Sequence, residues 1–249
     1  MANLETLDVF LSAHSFPEEE LRDKVTVVID VLRATSTIVT ALQNGAKEII
    51  PVEDMGEASR ISQSVDSDNI LLCGERGGIK IDGYDLGNSP LEYTNEKVGN
   101  KTLIFNTTNG TQAIKKAVGS SALYIASFLN LSAVVNILRK EEKDIVLICA
   151  GWRGRLALED LLLAGNIVYN MYDGKLVPEA RDGAKVAFGL YEKYKEDIAS
   201  VIHSSNHAVR LKGLEVDKDI DYCSQKDTCS IVPALSKGII TVDYGKKEN

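Results

Sequence analysis

The chain has 249 residues, 44% of them apolar and 26% charged, an ordinary make-up for a globular protein that buries a sizeable core in one large or two small α/β units. A formal net charge of −8 and a pI near 5.0 argue against nucleic acid or an anionic membrane surface as partner. No apolar run approaches the ~18 residues needed to span a bilayer, and the first residues lack the basic-then-apolar pattern of a secretory leader. The four cysteines, Cys73, Cys149, Cys223 and Cys229, lack Cys-x-x-Cys spacing, so a cytoplasmic protein without a disulfide framework or a zinc site is expected.

Residues 25–32 form a nearly continuous β-branched run, the pattern of a strand buried on both faces, broken by Asp30 and followed by Arg33, Thr35, Ser36 and Thr37. Ile38, Val39, Ala41 and Leu42 then recur at helical spacing, which predicts strand, polar turn, helix. Asn44-Gly45 supplies a helix stop, 47–52 a second strand, and Asp54 with Glu57 the spacing of a capping box. Residues 70–73 read as a third strand and 102–107 as a fourth, with a helix start at Ser89-Pro90-Leu91-Glu92 between them. A helix carrying Ala113, Ile114 and Ala117 follows, then a strand at 123–126, a helix capped by Asn130 and a sixth strand at 144–150. Leu156 to Leu163 read as helix, and so does the stretch from Pro178 to about Ile202. A short helix over 204–211 and a late strand at 239–242 complete the pattern, and 245–249 are expected to fray.

Strands alternating with helices predict a three-layer α/β/α arrangement around a mainly parallel or mixed sheet of at least six strands. No composition break marks two domains, so 1–249 is read as a single α/β domain, less regular from 204 to 249. The βα units are alike in kind and not in sequence, so no repeat is claimed.

Four strand-to-helix turns carry more glycine, hydroxyl and charge than a spacer needs: Asp30-Val-Leu-Arg-Ala-Thr-Ser-Thr37, Cys73-Gly-Glu-Arg-Gly-Gly78, Asn106-Thr-Thr-Asn-Gly-Thr111 and Ala150-Gly-Trp-Arg-Gly154. In open α/β sheets such turns can converge on one edge, where ligands bind. Glycines admit backbone N–H groups to an oxyanion, Arg33 and Arg76 could clamp a phosphate or sulfonate bidentately, and Thr35, Ser36, Thr37, Thr107, Thr108 and Thr111 add donors. The acids Asp30, Glu75, Glu159 and Asp160 lie in or just after these turns. Without a matching His/Cys set they favour a hard cation such as Mg²⁺ over zinc. Glu159 and Asp160 are about 100° apart on a helix, so one of them faces any given site. His207, in Ser204-Ser-Asn-His207, is a candidate ligand contact or general acid, whereas Trp152 reads as packing.

The same turns, with Asp85-Leu-Gly-Asn-Ser-Pro90 and Ala157-Leu-Glu-Asp160, resemble the 2-phosphosulfolactate phosphatase family over about residues 25–232. The resemblance implies Mg²⁺-dependent hydrolysis of (R)-2-phospho-3-sulfolactate to 3-sulfolactate and phosphate, a coenzyme M step in methanogens that need not exist wherever the family occurs. It implies Mg²⁺ among Asp30, Glu75 and one of Glu159 or Asp160, with Arg33 and Arg76 holding phosphate and sulfonate. The 107–111 turn, with Asn109 and Gly110, and the 151–154 turn, with Gly151 and Gly154, would supply backbone donors. Catalysis would rest on Asp30, Arg33 and Arg76. The nucleophile is open between Asp30 and water; Leu32, where aspartyl-phosphate enzymes place a second aspartate, favours water. The partner is therefore a small anionic substrate, with oligomeric state left open, a homo-oligomer included. The alternatives are a phosphatase for another small phospho-hydroxy acid and a non-catalytic anion-binding domain.

Overall fold

The structure, a computed structural model, describes residues 7–14, 16–64, 69–214 and 216–243; the stretch expected to fray, 245–249, lies outside them. Ten strands form one mixed sheet in the order β1-β8-β2-β7-β9-β10-β3-β6-β4-β5. They are β1 (Asp8–Phe10), β2 (Val25–Ile29), β3 (Glu48–Pro51), β4 (Ile70–Arg76), β5 (Ile79–Lys80), β6 (Thr102–Asn106), β7 (Ala122–Ala126), β8 (Ile145–Cys149), β9 (Pro233–Ser236) and β10 (Ile239–Val242). The helices in chain order are α1 (Ala34–Gln43), α2 (Met55–Ser64), α3 (Asn95–Val98), α4 (Gly110–Lys116), α5 (Leu131–Leu138), α6 (Leu158–Met171), α7 (Asp182–Tyr194), α8 (Ile198–Ser204), α9 (Asn206–Lys212) and α10 (Asp217–Cys223).

Read inward from its two ends, the sheet has the same plan twice. The unit β2-α1-β3-α2-β4 corresponds to β6-α4-β7-α5-β8, and the first strand of each lies between the later strands of the other: β2 between β7 and β8, β6 between β3 and β4, all parallel. The antiparallel hairpin β9–β10 joins the halves through β7 and β3. The match ends at the edges, where β1 pairs parallel to β8 and β5 antiparallel to β4. This duplicated plan does not stand out as a sequence repeat, because each unit needs only apolar strands and amphipathic helices, which many residue patterns supply.

Strand alternation assigns the side chains to two faces. Val28, Ile125 and Ile148 from one half and Ile49, Leu103 and Phe105 from the other share a core with Ile38 of α1 and Ile114 of α4. The opposite face packs Val25, Val27, Ile29 and Leu147 against Leu162, Val168 and Phe188 of α6 and α7, and Ile104 against Ala58 of α2. Helices therefore cover both faces of the sheet, as expected. Because α1 and α4 lie in the core that both halves share, their N-termini meet, and a Cβ on Gly110 would overlap that of Ala34.

Several expectations need correction. The expectation of at least six strands holds, and beyond the seven placed from sequence the sheet adds β1, β5 and β9, which are too short to show a period. The predicted long helix at 178–202 is two helices, α7 and α8, because Asp197 stands outside helical geometry. The start at Ser89-Pro90 opens only a 3₁₀ turn, Pro90–Glu92, before α3. Asn130 closes a capping box with Ser127 on a 3₁₀ turn preceding α5, and α6 begins at Leu158, leaving Leu156 exposed. All four cysteines are buried free thiols. Among the described residues, no helix is long and apolar enough to cross a membrane.

Candidate active site

The chain leaves β2 at Asp30, a side chain only 6% exposed. The turn is closed by Thr35, whose hydroxyl accepts from Asp30 N–H (3.0 Å) and donates to Asp30 C=O (2.8 Å), while Thr35 N–H reaches the same carbonyl at 3.0 Å. The corresponding turn after β6 repeats the pattern: the Thr111 hydroxyl accepts from Thr107 N–H (3.0 Å) and donates to Thr107 C=O (2.9 Å). The two turns meet, and a Cβ on Gly110 would lie 2.7 Å from Asp30 Oδ2, so a side chain there would displace the aspartate.

Each turn is also held by a carboxylate from elsewhere. Asp160 of α6 accepts from Val31 N–H at 2.8 Å and Gly151 N–H at 3.1 Å. Glu75 of β4 accepts from Thr108 N–H at 2.7 Å and Gly78 N–H at 2.6 Å. Glu75 reaches this position because Gly74, at φ +146°, lets β4 press against the backbone of Asn106 where no Cβ would fit.

These turns wall a cleft of about 130 Å³ whose lining includes Asp30, Arg33, Glu75, Asn88, Thr108, Asn109, Trp152, Arg153, His207 and Arg210. The Arg33 guanidinium is seated by Asp219 Oδ2 (2.6 Å) and Gly78 C=O (2.8 Å), and Ser89 donates to the other Asp219 oxygen at 2.6 Å. Asn88 Oδ1 and Thr108 Oγ1 are buried without a partner among the described residues, as polar atoms intended for a ligand would be. His207 reaches the cleft from α9. Its Nδ1–H donates to Glu159 Oε1 at 2.9 Å, and its ring stacks on Trp152 at 5.4 Å between centroids. Arg153 lies over the other aromatic partner, 4.7 Å from the Trp152 ring.

Burial pushes the Asp30 carboxyl up from 3.8 to about 6, with His207 opposing the rise and Glu75 and Glu159 adding to it. Asp160 is pushed far above the usual carboxylate range, first by burial and then by Asp30 and Glu159, against the pull of its two backbone N–H groups. Both shifts have one cause: a buried carboxylate charge beside other acids is disfavoured.

The structure brings together Asp30, Arg33, Glu75, Thr108, Asn109, Gly110 and His207, and corrects the remaining site expectations. Arg76 is outside the cleft: on a strand adjacent residues point oppositely, so Glu75 turns inward and Arg76 outward, its Nη2 donating to Glu53 C=O at 3.3 Å. The hydroxyls of Thr35, Ser36, Thr107 and Thr111 are taken up by backbone or the partner threonine inside the turns, and that of Thr37 donates to Asn88 C=O at 3.0 Å. Gly151 N–H is held by Asp160, and Gly154 does not line the cleft. Glu159 and Asp160 do not line it either, the first being turned to His207 and the second to backbone.

Among the described residues, no three His, Cys, Asp or Glu side chains converge as a ready-made metal cage. Mg²⁺ asks less of a protein: one or two carboxylates, with water and substrate phosphate completing the shell. Asp30 and Glu75, both on the cleft wall and repelling one another, fit that smaller demand.

Arg153 and Arg210 are functional candidates that sequence reasoning passed over. Arg153 lies within a turn already singled out for its glycines. Arg210 stands three residues after His207 on one helix, hence on the same face, a spacing that could have disclosed it.

A buried acid, a histidine seated on a glutamate and three guanidinium groups around one small cleft are the equipment of an α/β enzyme that handles a small anion. The model of the 2-phosphosulpholactate phosphatase family matches residues 10–238, and the chain belongs to that family. Three relatives, each named a probable 2-phosphosulfolactate phosphatase, agree. The protein of Caldanaerobacter subterraneus subsp. tengcongensis is 43% identical over 94% of this chain and 97% of its own. That of Thermotoga maritima is 47% identical over 87% and 91%, and that of Clostridium beijerinckii 38% identical over 95% and 99%.

Proposed function

We propose that this chain is a Mg²⁺-dependent phosphatase that hydrolyses 2-phospho-3-sulfolactate to 3-sulfolactate and phosphate. The observation that carries the reading is the single cleft in which Asp30 and Glu75 face Arg33, Arg153 and Arg210. An acidic protein needs such a concentration of cations to hold a small acid bearing phosphate, carboxylate and sulfonate together. A volume of about 130 Å³ suits a three-carbon acid and is below the roughly 300–1,000 Å³ of sites for larger ligands.

Phosphoryl transfer is accelerated mainly by positioning and charge stabilisation. Arg33, fixed on two sides, presents its remaining N–H groups to the phosphate beside Asp30. Arg153 and Arg210 receive the sulfonate and carboxylate. The unpartnered Asn88 and Thr108 oxygens orient the substrate, and Asp30 and Glu75 would hold Mg²⁺. When bound there, the ion would neutralise phosphate charge and lower the pKa of the attacking water. Acids such as Asp30 and Glu75 on the wall of an anion cleft are of little use to a protein that only binds its anion.

Phosphate release from 2-phospho-3-sulfolactate, with Mg²⁺ and again with EDTA, tests this. Turnover that EDTA abolishes and Mg²⁺ restores is expected. No release overturns the reading, and turnover insensitive to EDTA overturns the metal. Faster release from 2-phospholactate would move the substrate to a phospho-hydroxy acid without sulfonate.

A further inference from the structure

Glu159 and His207 stand 48 residues apart in the chain and meet behind the cleft wall. Glu159 is fully buried, where a carboxylate is costly unless it is paired. It is paired through Oε1, with His207 Nδ1, while Oε2 has no partner among the described residues. The carboxylate oxygen can only accept, so Nδ1 carries a proton whether the ring is neutral or cationic, and Nε2 is the nitrogen that gains and loses one. Stacking on Trp152, with 20° between the planes, fixes the orientation of the ring. His207 lines the cleft that contains Asp30, and no described group engages its Nε2. A histidine held at one nitrogen by a buried acid, with the other nitrogen available at a reactive cleft, has the geometry of a proton-transfer group.

Resting on the phosphatase reading above, we propose that His207 is the general acid that protonates the departing alkoxide, and that Glu159 is the positioning residue behind it. A water oxygen forms its bond to phosphorus as the bond from phosphorus to the ester oxygen breaks. The electron pair stays on that oxygen, which takes the Nε2 proton and leaves as the alcohol of the hydroxy acid. One water proton remains on the product as HPO₄²⁻ and the other passes to solvent, from which the neutral imidazole is reprotonated. A secondary alkoxide is a poor leaving group, so this is the step for which a proton donor matters most.

The test compares wild type, H207N and E159Q, all with Mg²⁺, on two small phosphate compounds: the ester 2-phospho-3-sulfolactate, which expels an alkoxide, and the anhydride acetyl phosphate, whose acetate leaves unprotonated. For H207N, kcat on the alkyl ester is expected to fall ~10²–10⁴-fold, the usual worth of a general acid, and that on acetyl phosphate by less than about tenfold. E159Q is expected to show the same split with a smaller amplitude. The ¹⁸O isotope effect at the bridging oxygen of 2-phospho-3-sulfolactate should grow in H207N, a change that a merely structural histidine would not cause. This measurement also decides the matter if wild type does not turn over acetyl phosphate. An equal fall on both substrates, an unchanged isotope effect, or near-wild-type kcat in H207N overturns the proposal. If H207N fails to fold, E159Q decides by the same signature. Failure of wild type to release phosphate from either substrate is a separate outcome and sinks the phosphatase reading itself.

Discussion

The turns after β2 and β6 are built alike and do different work. In each, a threonine five or four residues on, Thr35 or Thr111, binds the first residue of the turn through its hydroxyl. In each, a distant carboxylate, Asp160 or Glu75, accepts the next backbone N–H, that of Val31 or Thr108. The first residue is Asp30 in one turn and Thr107 in the other. The β2 turn therefore brings a charged group to the cleft and the β6 turn brings backbone, a hydroxyl and the space left by Gly110. The frame is symmetric and the chemistry is placed on one side of it, so the hydroxyl-rich sequence of both turns reports scaffold more than ligand.

The sharpest way to break this comparison is D30N. If Asp30 is the reactive member of the pair, removing its charge forfeits several kcal/mol of transition-state stabilisation, about a thousandfold in phosphate release at 1.36 kcal/mol per decade. Stability should move the other way. The native Asp30 pKa, about 6, lies above its value in the unfolded chain. The folded state therefore binds the proton more tightly, and stability falls as pH rises through the window from about 4 to about 6. D30N escapes that loss, so without divalent ions at pH 8 it should melt above wild type by an amount on the order of 1–3 kcal/mol. A D30N protein that melts lower would show that Asp30 is structural.

D160A is expected to do the reverse. It strands the N–H groups of Val31 and Gly151, each at about 1–3 kcal/mol. A loss of about 3 kcal/mol corresponds to Tm lower by about 6–12 °C in a chain of this size, with Mg²⁺-dependent turnover still measurable below that temperature. The threonine pair sharpens the contrast further. T35V and T111V should each cost about 1–2 kcal/mol by denaturant melts, since each removes the same two hydrogen bonds. Only T35V, which frees the backbone that holds Asp30, should lower kcat; equal kinetic damage from both would remove the asymmetry. The smallest effect belongs to R76Q, within about 0.5 kcal/mol in stability, as for a surface change, with kcat/KM essentially that of wild type.

The relation between sequence and site follows the range of the interactions involved. The alternation of apolar strands with amphipathic helices, the break at Asp30 and the glycine turns are local, and they disclosed an α/β fold and most of the cleft's loops. Glu75 and Arg76 show where that reading stops. Both belong to the right turn, but strand pleating admits one of them to the cleft, and the face is chosen by the contact of Gly74 with Asn106, a neighbour on another strand. The fates of Thr35, Ser36, Thr37, Thr107 and Thr111 were hidden for a related reason. A hydroxyl serves ligand or backbone equally well until the turn closes on it.

What residues 25–37 and 70–111 could say unaided was that polar chemistry sits where strands end, because hydrophobic periodicity and turn propensity act over a few residues. That β2 and β6 exchange places between the two units, that α1 and α4 meet at their N-termini, and that Glu159 finds His207 are decided by packing between segments dozens of residues apart. Such choices depend on which apolar faces fit together once the chain has collapsed, and no short window of sequence contains both partners.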